Sequence, residues 1–136
     1  MFIATCAVAV STVAGCDDVV FNGRSPSYAS CLRDPPLTWE NFGKGHMDKH
    51  CNGCHSSLLV REELRNGAPL GIDFDTFEGN LEWGDRILQR GIIEVSMPPG
   101  GGPSAEEIRL FQEWVVCEVL PASGQDENQN GGGGDE

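Results

Sequence analysis

No stretch of this sequence reaches the ~18–20 consecutive apolar residues that a bilayer-spanning helix needs, so none of its 136 residues is read as a transmembrane segment. Cations are scarce: 9 Lys and Arg stand against 21 Asp and Glu, a formal net charge of -12. Nucleic acid and anionic membrane surfaces both need clustered cations, so neither is expected as a partner. Aromatic residues make up only 7% of the chain. A core with so few large side chains calls for a cross-link or a cofactor to complete it. Strand signals are missing too: no segment alternates apolar and polar residues, and there is no internal repeat. The length fits one domain, not two.

What the sequence does hold is 18 Gly, 8 Pro and 6 Cys. The Gly and Pro imply long loops. Six Cys in so short a chain imply an oxidising compartment or metal chemistry. Residues 1–15 carry no charge and are nearly all small or apolar. The run from Phe2 to Val10 has the length of a signal-peptide core, although no Lys or Arg precedes it. Val13-Ala14-Gly15-Cys16 resembles a bacterial lipobox, in which cleavage before the Cys leaves a thiol that carries lipid. The expectation is an exported bacterial chain, periplasmic or membrane-anchored as a lipoprotein through Cys16. A plain secretory signal and a buried first element are the alternatives. Residues 16–37 read as a linker, and residues 121–136 as a disordered acidic, Gly-rich tail.

Residues 38–120 hold three helical patterns, so the expected fold class is all-α. The first helix spans Thr38 to His50, with Thr38 as its cap and Trp39, Phe42 and Met47 as apolar contacts. Gly43 and Gly45 weaken its propensity by roughly 1 kcal/mol each, which suggests that another element packs very close. A short polar helical piece follows around Arg61 to Arg65. The second main helix is expected to start at Asp75, where Asp75 and Glu78 have capping-box spacing, and to end at Gly91. Phe77, Leu81 and Leu88 share one side of it. The third opens with a capping box of Ser104 and Glu107, and runs out near Leu120. Its apolar stripe is Leu110, Phe111, Trp114 and Val115.

Cys51-Asn52-Gly53-Cys54-His55 is the segment that carries chemistry. C-x-x-C-H is the attachment sequence for a c-type haem. Two thiols three residues apart span the two vinyl groups on one porphyrin edge and become thioethers. The adjacent His then lies under the iron and donates a ring nitrogen. The expected cofactor is one covalent haem c with its iron. Three other readings compete. Zinc on Cys51 and Cys54 with His55 or His50 lacks a second ligand pair at familiar spacing. A thioredoxin-like redox pair lacks its strand–helix pattern. A plain Cys51–Cys54 disulfide leaves His55 without a role.

With that motif in place, Thr38 to Leu120 resembles a class I cytochrome c domain. The resemblance implies about three main helices and long loops wrapped around one haem, with the first and last helices crossing. A small residue eight positions before the first haem Cys allows that crossing, and Gly43 stands there. Met47 takes the place of the family's usual aromatic residue four before that Cys. Phe111 and Trp114 match the pair on the C-terminal helix. Ala68-Pro69-Leu70 resembles the loop whose carbonyl orients the proximal His through its other ring nitrogen. Met97 opens a Met-Pro-Pro loop and corresponds to the thioether ligand of the distal face, so the expected iron ligands are His55 and Met97.

The same resemblance consumes Cys51 and Cys54. Cys6 leaves with the signal and Cys16 takes lipid, which leaves Cys31 and Cys117 as a disulfide pair. Arg61, Arg65, Arg86 and Arg90 are candidates to neutralise haem propionates. Trp39, Trp83, Phe42, Phe74, Phe77, Phe111 and Trp114 are candidates for the haem pocket. The function implied is single-electron transfer between periplasmic or membrane-associated redox proteins by a monomer. The alternative is a haem sensor or small-ligand binder whose sixth position is open or displaceable. No distal acid–base constellation for an enzyme is visible.

Overall fold

A computed structural model describes residues 31–124. The expected signal segment with Cys16, the linker up to residue 30 and the tail from residue 125 lie outside the described residues. Within them all regular structure is helical, with no strand.

Helix α1 begins with a wide turn, Trp39–Gly43, and continues as Lys44–His50. Thr38 caps it as expected: its hydroxyl accepts from the Asn41 N–H at 3.3 Å, and the Asn41 side chain returns the bond to the Thr38 N–H at 2.7 Å. A long loop follows, broken by one tight helical turn, Glu62–Leu64.

Helix α2, Phe77–Glu82, starts two residues after Asp75, with its cap one residue later than expected. Its cap is Thr76, whose hydroxyl accepts from the Gly79 N–H at 3.2 Å. The cap must be the extended residue just before the first helical one, and Thr76 has that conformation, φ -124° and ψ 159°. Asp75 instead accepts from the Ser57 N–H and ties the long loop back to this corner.

The chain breaks at Trp83 and restarts as α3, Gly84–Ile87, which widens into Leu88–Ile93. The helix therefore passes through Gly91 instead of ending there. A Cβ at Gly91 would stand 3.0 Å from Phe111 Cε1, so the glycine serves close packing, not termination.

Helix α4 runs as Ala105–Trp114, Val115–Val119 and Leu120–Ser123. The expected Ser104–Glu107 capping box is formed in both directions. Pro121 does not stop the helix, which continues through it for two further residues to Ser123. Gly124, at φ 70°, closes it.

The core forms where α1 and α4 pack together, with α3 behind them. Met47, Trp114, Val115 and Val119 are wholly shielded there. Gly43 allows the approach, because the Trp114 indole fills the space a Cβ would need. The arm before α1 is fastened to α4 twice. Cys31 and Cys117 form a disulfide, the pair that the resemblance had left over. Arg33 adds a two-pronged ion pair with the buried Glu113, one prong being Nη2 to Oε2 at 3.0 Å.

Candidate functional site

Cys51 follows the last residue of α1, and the chain turns sharply there. The N–H groups of Cys54 and His55 both donate to the Cys51 carbonyl, each at 3.0 Å. This turn carries Cys51, Cys54 and His55 on one short segment. Both thiols are half-buried and unbridged. Burial, and then the neighbouring Cys54, push the Cys51 thiol up to about 12. A reactive redox thiol carries the opposite shift. The zinc reading lacks ligands: among the described residues no three His, Cys, Asp or Glu side chains gather where they could hold an ion.

His55 is held from three directions. Its Nδ1 lies 3.0 Å from the Ile72 carbonyl. A carbonyl oxygen only accepts, so Nδ1 carries the proton and Nε2 keeps its lone pair. The ring stacks on Phe74 with centroids 4.7 Å apart. The His55 carbonyl accepts from the Phe74 N–H at 2.8 Å. The expectation that Ala68-Pro69-Leu70 would supply the orienting carbonyl is therefore corrected by two residues. The reason lies in the turn. The Ala68 carbonyl is taken by Arg65 Nε at 3.3 Å. Gly71, at φ 82°, then reverses the chain and presents Ile72 to the imidazole.

Met97 sits on the loop between α3 and α4. The N–H groups of Ser96 and Met97 both donate to the Arg90 carbonyl, at 2.9 and 3.1 Å. The following glycines fold this loop onto α1. A Cβ at Gly102 would meet Pro98 Cγ at 2.7 Å and His50 Nδ1 at 3.7 Å. The Met-Pro-Pro loop is thus anchored beside the residue that precedes Cys51. Met97 itself is partly exposed, whereas Met47 is fully buried in the core.

Large apolar side chains left in solvent are unevenly placed. Of the eight among the described residues, Leu58, Val60, Leu64 and Leu70 lie on the loop between His55 and Ile72, and Ile93, Val95 and Met97 lie on the segment around Met97. Only Leu32 lies elsewhere. Seven of the eight are thus confined to these two segments.

The expected aromatic wall is mostly absent from this neighbourhood. Phe74 reaches His55, but Trp39, Phe42, Phe77, Phe111 and Trp114 pack with one another or with His46. Aromatic side chains on crossing helices bury most area by packing edge to face or offset on each other. Arg65 is also not free for a propionate, since carbonyls and Asp73 engage its guanidinium. Arg90 pairs with Glu94 at 2.7 Å. Arg61 and Arg86 are exposed, without an ion pair among the described residues.

Two participants were not singled out by the sequence. Ile72 acts through its backbone, which any residue supplies. Phe74 is one of several aromatics, and only the fold selects it for His55. Comparison with protein-family models, curated proteins and solved structures returned no match.

Proposed function

We propose that this chain is a monohaem c-type cytochrome that carries single electrons between redox proteins outside the cytoplasm. The observation that carries the reading is the His55 ring, protonated at Nδ1 by its bond to the Ile72 carbonyl and set one residue after two unbridged thiols. That is the donor set a covalent haem needs: two thiols for its vinyl groups and one imidazole lone pair for its iron. The exposed aliphatic side chains of residues 58–70 and 93–97 fit the same group, because a porphyrin is a large apolar surface.

In this reading Cys51 and Cys54 would hold the haem covalently, and His55 and Met97 would supply the ligands to its iron. Haem with His and Met ligands exchanges one electron at a raised potential. The chain's residues do the rest. Ile72 and Phe74 fix the His55 ring, and the Arg90 carbonyl, which accepts from the Ser96 and Met97 N–H groups, anchors the loop that carries Met97. Leu58, Val60, Leu64 and Leu70, exposed as they stand, would shield the group from water once it is bound. With both axial positions filled, no open site and no enzymatic turnover are expected. The acidic surface suits a basic patch on a redox partner. A lipid at Cys16 would keep the domain near membrane-bound partners.

The test is an absorption spectrum of the protein made in a host that exports it and attaches c-type haem. Haem that survives denaturation, with a weak far-red sulfur-to-iron band in the oxidised state, supports the reading. Protein without covalent haem overturns it.

A further inference from the structure

Arg65 is the one fully buried cation among the described residues, 1% exposed. Its guanidinium is spent almost entirely on the loop that frames His55. Nη1 donates to the Ser56 carbonyl at 2.9 Å and Nη2 to the Ile72 carbonyl at 2.8 Å. Nε donates to the Ala68 carbonyl at 3.3 Å. The Ile72 oxygen is the same atom that accepts from His55 Nδ1 at 3.0 Å. Imidazole and guanidinium thus share one acceptor.

The charge has one ion-pair partner. Asp73 Oδ1 lies 2.7 Å from Nη1, outside hydrogen-bonding geometry. That oxygen is buried, although the Asp73 side chain as a whole is 30% exposed. Burying a cation this way is costly, and closing a loop does not require one. An apolar or amide side chain could fill the same space.

We propose that Arg65 is a positioning residue for His55, which holds the Ile72 carbonyl against Nδ1 and, by drawing on that same oxygen, makes iron bound at His55 easier to reduce. This rests on the reading of His55 as an axial ligand. A carbonyl that accepts strongly from Nδ1–H gives the ring imidazolate character and favours ferric iron. A cation on that carbonyl withdraws the effect. The guanidinium charge acts in the same direction, because ferrous iron carries one positive charge less. Both effects raise the potential.

The experiment compares the midpoint potential of the haem-loaded wild type with those of Arg65→Gln, Arg65→Lys and Asp73→Asn. Arg65→Gln should lower the ferrous-to-ferric ratio at fixed poise by about three- to tenfold, where tenfold is about 59 mV for one electron. Arg65→Lys keeps the charge and should fall between Gln and wild type. Asp73→Asn removes the screening carboxylate and should shift the ratio the other way. In the reduced Arg65→Gln protein the His55 Nδ1 proton resonance should move downfield as the carbonyl becomes a stronger acceptor.

Covalent haem in Arg65→Gln at the wild-type midpoint, with the proton resonance unmoved, would overturn the proposal. If the Arg65 variants fail to fold, Asp73→Asn decides alone, and a midpoint equal to or below wild type rejects it. Wild type without covalent haem defeats the reading of His55 itself and this proposal with it. That outcome is visible before any variant is made.

Discussion

Gly43 lies against the benzene-ring edge of Trp114, and the indole occupies the volume where any other residue would place its Cβ. This contact sets how closely α1 approaches α4. Gly43→Ala would gain up to about 1 kcal/mol of helix propensity. It would lose roughly 1–3 kcal/mol to overpacking against a fully buried ring. The expected net result is a lower melting temperature. Gly45 is the control, since a Cβ there meets nothing within 4 Å. Gly45→Ala should stabilise, and equal melting temperatures for the two variants would refute the packing argument.

Acid should destabilise this fold before carboxylates begin to titrate. His46 is stacked against Phe42 and Phe111, and its Nε2 has no hydrogen-bond partner. Burial, and then the neighbouring His50, lower it from 6.5 to about 4, with Lys49 adding to the shift and Glu107 opposing it. The unfolded chain therefore takes up this proton first. The stability that neutral His46 confers is complete above pH 6.5 and is lost as pH falls toward about 4. The loss is on the order of 3 kcal/mol. Urea unfolding at pH 7.5 and pH 5 should show about 2 kcal/mol of it, since the folded-state proton is taken up only near pH 4. His46→Leu should flatten that difference, and a difference that persists would locate the proton elsewhere.

The disulfide closes a separation of 86 residues. A loop that long constrains the unfolded chain by roughly 4 kcal/mol in the chain-entropy model. Reducing it, or replacing both Cys31 and Cys117 with Ser, should lower the urea midpoint markedly. The Arg33–Glu113 ion pair remains to hold the arm in place. A midpoint insensitive to reductant would show that the arm contributes little.

Met97 separates the electron-transfer reading from the sensor reading. With the thioether on the iron, the reduced wild type should ignore carbon monoxide. Met97→Ala should keep its haem through Cys51 and Cys54, show a lower midpoint potential and bind the gas. Rapid binding by the wild type would instead favour a ligand sensor.

The helical architecture was legible because its signals are local. Thr38 and Ser104 cap where a short-range reading places them, and the stripe of Phe111, Trp114 and Val115 is buried as its spacing implies. The misreadings were local signals overridden by distant neighbours. Asp75 carries capping chemistry, yet its carboxylate serves Ser57, 18 residues away. Gly91 looks like a helix stop, yet it answers to Phe111 on another helix.

By itself, the sequence determined the donor set: two thiols and an imidazole at C-x-x-C-H spacing, on a helical chain rich in acid. Covalent order fixes such spacing whatever the fold. Tertiary structure alone decided how His55 is held. The Ile72 carbonyl, the Phe74 ring and the buried Arg65 reach it across 10 to 19 residues of loop, and the Ala68-Pro69-Leu70 pattern that pointed to a carbonyl on this loop did not single out Ile72. Hydrogen bonds and stacking depend on where atoms meet in space, and that meeting exists only once Gly71 has turned the chain back upon itself.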